Sequence, residues 1–309
     1  MPVSSVFDTH SPQAGAISRL FLLSLGISAI IFLLVVGLVL YAIVRYRGQP
    51  GQEDPTPVFG MRHLEIAWTI APAVILLGMF GLTVTTMRAT NPPAAKEADI
   101  VITGYQWWWD VRYPQAHVVT ANEIHIPVGK QLRIELKGGD VIHDFWVPQL
   151  ARKMDMVPGH TNELLLFADT PGTYLGACAE YCGTQHAWMR IQVIAQSQAE
   201  FDSWQQAQAR GAAVTADAAA NQGAQRFRQL TCSSCHAIGG TGANAQVGPD
   251  LTHIASRNTL GAGIIENTPD NLARWIANPH AIKQGVLMPN LQLSDADVRA
   301  LVAYMEALK

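Results

Sequence analysis

Two apolar runs set the character of the N-terminal part of the chain. Residues 20–44 and 66–87 contain no charged side chain. About 20 helical residues cross a bilayer core, so each run is long enough for one membrane span, and both are too long for the apolar region of a signal peptide. Buried helices of a large globular protein are the alternative. Arg45, Arg47 and Arg62 lie in the connector, whereas Arg19 alone flanks the first run on its other side. The bias of Lys and Arg puts the connector in the cytoplasm, and both termini on the opposite side. Glu65 stands at the entrance to the second run, where it marks the interface, favours a helix start or admits protons. Pro72 is expected to kink or open that helix.

The pattern changes after Asn91-Pro-Pro-Ala-Ala, a short linker. Ile124 and Ile126 alternate with Glu123, His125 and Pro127, and Leu132, Ile134 and Leu136 alternate with Arg133, Glu135 and Lys137. A period of two predicts half-buried strands. Residues 164–167 and Tyr174-Leu175 add further strands, and Pro127-Val-Gly129, Gly138-Gly-Asp140 and Pro171-Gly172 supply turns. Short strands separated by Pro and Gly predict a small Greek-key sandwich or barrel over residues 98–198. Trp107, Trp108 and Trp109 are consecutive, so they cannot share one sheet face, and at least one is expected at an interface or in solvent.

Residues 199–220, rich in Ala and Gln, read as a linker or the start of a helix. Beyond them the period becomes helical. Residues 221–230 predict a short amphipathic helix with Ala224 and Phe227 inward. Leu272, Trp275 and Ile276 mark another. Ser294-Asp-Ala-Asp297 caps a last one, whose stripe is Val298, Leu301, Val302, Met305 and Leu308.

Composition adds little beyond the spans. The chain has 309 residues, 49% apolar and 15% charged, with a formal charge of -3, which gives no case for nucleic-acid binding. The four cysteines form two close pairs, Cys178/Cys182 and Cys232/Cys235, each followed by a histidine. Two short-loop disulfides are the plain alternative in an exported domain. Thiolate, imidazole and thioether groups together suit a soft metal instead, and Cys178, Cys182, His186 and Met189 lie within one short stretch. His143 is far upstream, but a sandwich can bring it to them. Two thiolates, two imidazoles and a thioether can hold a pair of coppers with bridging sulfurs. Phe145, Trp146 and Trp188 are expected to pack around the metal.

Cys232-Ser-Ser-Cys235-His236 is the attachment signature of c-type heme, with two thioether links and His236 on the iron. The sixth ligand is sought among His253, His280, Met288 and Met305. Met288, before Pro289 in an irregular segment, is preferred, while Met305 on the helical stripe reads as core.

These motifs closely resemble those of subunit II of the heme-copper cytochrome c oxidases over about residues 12–198. The family pattern is an upstream His, then Cys-x-Glu-x-Cys-x-x-x-His-x-x-Met, met here by His143, Cys178, Glu180, Cys182, His186 and Met189. The resemblance implies two transmembrane helices, a cupredoxin-like all-β Greek-key domain and, from residues 221–309, an all-α class I cytochrome c domain fused at the C-terminus. It implies a binuclear copper centre, Cu-A, with Cys178 and Cys182 bridging, one imidazole each from His143 and His186, and Met189 and the Glu180 carbonyl as weak ligands. The Glu180 side chain would reach a magnesium shared with subunit I, Trp107 would relay electrons, and Glu65 would lie at a proton channel of subunit I. Gly248-Pro-Asp-Leu251 resembles the loop supporting the heme histidine. The implied role is electron input to a proton-pumping oxidase of the bacterial inner membrane, from a soluble cytochrome c or membrane reductase through heme c and Cu-A to heme in subunit I, where O2 becomes water. Subunit III is a further implied partner. Asp144, His160 and Gly139 depart from the family's usual Ser, Arg and Ser. The rival readings are the electron-transfer subunit of another respiratory reductase, such as a nitric or nitrous oxide reductase, and a non-enzymatic copper carrier. Nitrous oxide reductase needs a large catalytic copper domain that these residues do not supply, and a carrier has no use for covalent heme.

Overall fold

The computed structural model describes residues 5–48, 51, 56–57, 59–91, 97–212 and 217–309. Pro92 to Ala95 of the first expected linker and residues 213–216 of the second lie outside the described residues. The chain forms two compact units: residues 15–90, and residues 91–309 together with residues 1–14.

The first unit is two helices, α1 (Pro12–Arg45) and α2 (Arg62–Thr90), which contain the expected spans and are long and apolar enough to cross a membrane. Their apolar side chains face outward along both lengths, as a lipid-facing helix requires. α2 runs through Pro72 without interruption.

The second unit begins with the segment before α1. The His10 amide donates to the Gln149 carbonyl at 2.9 Å, and the His10 carbonyl accepts from the Asp169 amide at 3.0 Å. The Ser11 hydroxyl donates to the Leu150 carbonyl and accepts from the Ala14 amide at 2.9 Å, so it caps α1 while pinning its start to the strands. The N-terminal segment is therefore held by the β domain. This puts both on one side of the membrane, as a two-span protein with an extracytoplasmic tail requires.

Ten strands follow: β1 (Ile100–Tyr105), β2 (Trp108–Tyr113), β3 (Val118–Ala121), β4 (Glu123–Pro127), β5 (Leu132–Gly138), β6 (His143–Trp146), β7 (Met154–Met156), β8 (Thr161–Leu166), β9 (Gly172–Cys178) and β10 (Arg190–Gln196). They form two five-stranded sheets, ordered β3-β2-β1-β5-β8 and β4-β10-β9-β6-β7. β1 pairs parallel with β5, and β4 parallel with β10, while their other neighbours are antiparallel. The alternation expected of β5 is present: Leu132, Ile134 and Leu136 are buried and the residues between them are not. Ile100, Ile102, Trp109 and Ile134 from one sheet meet Ile124, Phe145, Ile191 and Val193 from the other in a single apolar core.

β4 departs from the expected pattern, because its polar residues do not face water. Glu123 is 1% exposed. His125 stacks on Trp204 with ring centroids 4.1 Å apart. Trp204 belongs to α3 (Gln198–Gln208), so the first half of the expected linker is a helix laid on the sheet. Ser197 and Glu200 close a reciprocal capping box at its start, worth about 1 kcal/mol.

The C-terminal part is helical: α4 (Ala218–Gln229), α5 (Pro269–Ala277), α6 (Pro279–Ile282) and α7 (Asp295–Ala307). A hairpin of two-residue strands, β11 (Thr259–Leu260) and β12 (Ile265–Glu266), interrupts the expected all-α architecture. α4 crosses α7 at Gly223, where a Cβ would lie 2.0 Å from the Ala300 carbonyl oxygen, so only glycine lets the backbones approach. Phe227, Leu301, Tyr304 and Met305 fill the core beside that crossing, and Ser294 caps α7 as expected.

Candidate metal centres

His143 opens β6 and Cys178 closes β9. The register that sets Phe145 opposite Cys178 brings these two ends together. The loop from residue 179 to 189 then turns back over them, held at its base by the Cys178 amide on the Met189 carbonyl at 2.9 Å. The two thiols lie 3.7 Å apart. The Cys178 sulfur is 3.9 Å from His143 Nδ1, and the Cys182 sulfur is 3.7 Å from His186 Nδ1 and 3.8 Å from the Met189 sulfur. The Cys178 sulfur lies 3.1 Å from the Glu180 carbonyl oxygen. Ligand atoms of His143, Cys178 and Cys182 all fall within 4.8 Å of one another. The six residues singled out in the sequence thus converge, with the carbonyl rather than the side chain of Glu180 facing the sulfurs.

The surroundings prepare this donor set. His143 Nε2 donates to Asp140 at 2.8 Å, which turns Nδ1 toward the sulfurs, the usual arrangement of a ligating imidazole. Burial opposes a proton on this ring, but the contacts with the Cys178 sulfur and the Asp140 carboxylate outweigh it and raise its pKa. The Cys178 thiol is driven well below its usual value, first by the hydrogen bond from Cys182 and then by His143, while Cys182 is driven up by sharing that proton. Thiolates are the form that binds a soft metal, and sharing the proton favours that form at Cys178. Gly104 leaves room for the His143 ring, since a Cβ there would lie 3.0 Å from it. Gln106 Nε2 and Trp107 Nε1 both donate to the Cys182 carbonyl, at 2.8 and 3.0 Å. Two free thiols, two imidazoles and a thioether in a buried pocket fit a soft-metal pair.

Some expected neighbours are elsewhere. Phe145 is fully buried beside Cys178, but Trp188 is 44% exposed on the short turn His186–Trp188, and Trp146 sits under the Lys153 ammonium. Trp109 takes the place expected for Trp188, packing 6.2 Å from the His143 ring and edge-on to Phe145. The chain reverses direction at residues 186–188, so proximity in sequence did not translate into packing. The departures from the family pattern have local causes. Gly139 lies under Tyr105, whose ring would be 2.3 Å from any Cβ there. Asp144 is buried opposite Asp155, and burial together with that second carboxyl raises its pKa to about 7. His160 is exposed. Glu180 is exposed, as is Glu65 in the first turn of α2.

In the helical domain, Cys232 and Cys235 are free and half-buried on a tight turn. His236 Nδ1 donates to the Pro249 carbonyl at 2.7 Å, which leaves Nε2 as the free ring nitrogen. Burial lowers its pKa and keeps the ring neutral, as a metal ligand must be. Gly248 packs flat against that ring: a Cβ would lie 2.6 Å from Cε1. Leu251, Ile265, Trp275 and Val302 pack, like Cys232, against the core of this domain and are only partly buried, apolar surface of the kind a heme covers. Met288 is half-buried between α6 and α7. Its rivals are otherwise engaged: Met305 is buried in the core of α7, His253 donates to the Arg210 carbonyl at 2.9 Å, and His280 is exposed.

The two domains meet at the tryptophan ridge. Trp107 is 8% exposed, and Trp108 stacks on Tyr105 beside a cavity of about 50 Å³ lined also by Ala237 and Gly248. The expectation that one of the three tryptophans lies at an interface holds. Glu123 and Lys283, which lie in no sequence motif, bury ionisable side chains in this seam.

Such a chain is a two-span membrane protein whose extracytoplasmic part holds a donor set that fits a soft metal and a Cys-x-x-Cys-His turn that fits a c-type heme. The comparisons carry this further. Residues 4–84 match the model for the cytochrome c oxidase subunit II transmembrane domain, residues 115–196 that for its periplasmic domain, and residues 220–309 that for cytochrome c. Cytochrome c oxidase subunit 2 of Alkalihalophilus pseudofirmus is 38% identical over 99% of this chain and 91% of its own length. That of Bacillus subtilis is 29% identical over 87% and 82%. Quinol oxidase subunit 2 of Bacillus cereus is 30% identical over 65% and 71%. Among solved structures, the periplasmic domain of subunit II of cytochrome oxidase from Bradyrhizobium japonicum is 34% identical over 37% of this chain and 95% of its own, with a TM-score of 0.35. The chain belongs to the cytochrome c oxidase subunit II family and carries a separate cytochrome c-like domain at its C-terminus.

Proposed function

We propose that the chain is the electron-input subunit of a proton-pumping terminal oxidase. Family membership gives it the non-catalytic, electron-transferring role of subunit II in such a complex. The observation that carries the finer reading is the convergence of His143, Cys178, Cys182, His186 and Met189, in one compact unit with the Cys232–His236 motif.

On this reading, residues 98–198 are a cupredoxin domain and residues 221–309 a class I cytochrome c domain. Cys178 and Cys182 would hold a copper pair together with one imidazole each from His143 and His186, and Met189 and the Glu180 carbonyl would add weaker donors. Cys232 and Cys235 would hold heme c, and His236 and Met288 would supply its iron ligands. When bound, these groups supply one-electron chemistry, linking a soluble cytochrome c or membrane reductase to heme in subunit I, where O2 is reduced. The chain's own residues do the rest. Asp140 orients His143, Pro249 orients His236, and the Trp107 indole joins the seam to the Cys182 carbonyl, the contact a relay needs. The exposed carboxylate of Glu180 is free to share a magnesium with subunit I, and Glu65 to feed its proton channel. Subunit III is a further partner.

Metal analysis of the purified full-length chain tests this reading. Two coppers and one heme iron per chain are expected, whereas one copper would contradict the binuclear centre. Met288→Ala should abolish the absorption band of iron bound to methionine sulfur, and its persistence would reassign the sixth ligand.

A further inference from the structure

Two buried charges of opposite sign cross the seam in opposite directions. Glu123 reaches from β4 into the helical domain, where its carboxylate accepts four hydrogen bonds: from the Asn258 amide at 3.1 Å, Asn258 Nδ2 at 3.4 Å, the Thr259 amide at 2.8 Å and the Thr259 hydroxyl at 3.0 Å. Lys283 reaches the other way. Its side chain is fully enclosed, at 2% exposure, and its ammonium donates to the Trp107 and Gly261 carbonyls, each at 3.0 Å. Both acceptors are neutral. Desolvating an ammonium for two backbone carbonyls is a costly way to fill space, and a methionine of similar length would do so at less cost.

The place of Lys283 gives the expense a use. It opens the segment that ends at Met288. Within that segment, Gly285 has a φ of 87° and lies on the copper loop: a Cβ there would be 3.3 Å from Gln185 Nε2 and 3.5 Å from the Thr184 hydroxyl. Gln185 precedes His186. On the other side of the contact, Trp107 donates its indole to the Cys182 carbonyl. One short segment therefore touches the copper loop at Gly285, holds the tryptophan ridge through Lys283 and carries the expected heme ligand.

We propose that Lys283 is a positioning residue that clamps the Met288 segment onto Trp107 and the copper loop, and so fixes the two centres at the separation that governs electron transfer between them. This rests on the reading above that Cys232–His236 carries heme and Cys178/Cys182 carry copper. In the step concerned, one electron leaves the heme iron, which passes from ferrous to ferric, and enters the copper pair, which is reduced by one. No proton moves and no bond is made or broken.

The test uses the full-length chain. Lys283→Met removes the donors at nearly constant length, Lys283→Arg keeps them, and Lys283→Gln keeps one reach and serves should the methionine variant not take up copper. In protein freed of copper but keeping its heme, amide exchange in peptides covering residues 105–109 and 259–263 should quicken by about tenfold or more in the methionine variant. In loaded protein, the copper and heme spectra and both potentials should match the wild type, while heme-to-copper transfer after pulse reduction slows by about tenfold or more, as loss of positioning demands. The arginine variant should recover most of that rate, with glutamine between. A wild-type transfer rate in the methionine variant, unchanged exchange, or equal slowing by methionine and arginine would each overturn the proposal. Absence of transfer in the wild type would instead refute the electron route, and the exchange result would still judge the clamp.

Discussion

The copper centre and the heme domain hold their ligands in different ways. In the β domain the donor atoms stand at the ends of two paired strands and in a loop pinned at its base, so they converge on one another through backbone register alone. In the helical domain Cys232, Cys235 and His236 lie on a tight turn, Met288 lies on an irregular segment, and several apolar side chains packed on the domain's core are only partly buried. The first site is preorganised for its metal. The second draws its candidate ligands from a turn and an irregular segment.

The sharpest way to break this contrast is to remove each group in turn. Cys232→Ala with Cys235→Ala should abolish heme attachment and, with it, the cooperative melting of the helical domain, while the β domain keeps its own transition, as two-domain calorimetry would show. Cys178→Ser should behave in the opposite way. Copper per chain should fall from two to one or none, yet the melting temperature of the metal-free β domain should change little, with a stability loss below about 2 kcal/mol, because the strands and not the metal hold the loop. Equal collapse of both domains would erase the distinction.

These differences also decide what could be read in the sequence. Ligand spacings within Cys178–Met189 and Cys232–His236 are local, and the period-two pattern of β5 survives because one sheet face covers it entirely. β4 has the same pattern and a different fate. Its polar face is roofed by α3 and by residues 258–259, so Glu123 is buried by a contact 135 positions away. Lys283 is buried by one 176 positions away. Neither residue lies in a motif, and a charged residue is ordinarily expected on the surface. The N-terminal segment depends on a distant contact in the same way, since His10 finds Asp169 across a separation of 159. The tryptophan ridge was legible as an interface because three large side chains in a row exceed what one face can bury.

Two smaller effects sharpen the picture of the seam. Glu123→Ala strips four donors of their acceptor and should cost about 2–3 kcal/mol of stability, read as earlier melting of the helical domain with the copper spectrum unchanged. His125, held under Trp204, has its pKa lowered by burial to about 4. The unfolded chain therefore binds a proton between about pH 6.5 and pH 4 that the folded chain refuses, so this contribution is whole above pH 6.5 and is lost as pH falls toward 4. Acid titration should loosen α3 from the sheet over that window by a few kcal/mol at most, and His125→Phe should flatten the dependence.

The account stands most directly on whether the two centres form one relay. Pulse reduction of the loaded full-length chain, followed at the heme and copper absorption bands, measures this. Reoxidation of the heme should keep pace with reduction of the copper centre, at a rate independent of protein concentration. A rate that rises with concentration, or a copper centre reduced independently of the heme, would contradict it.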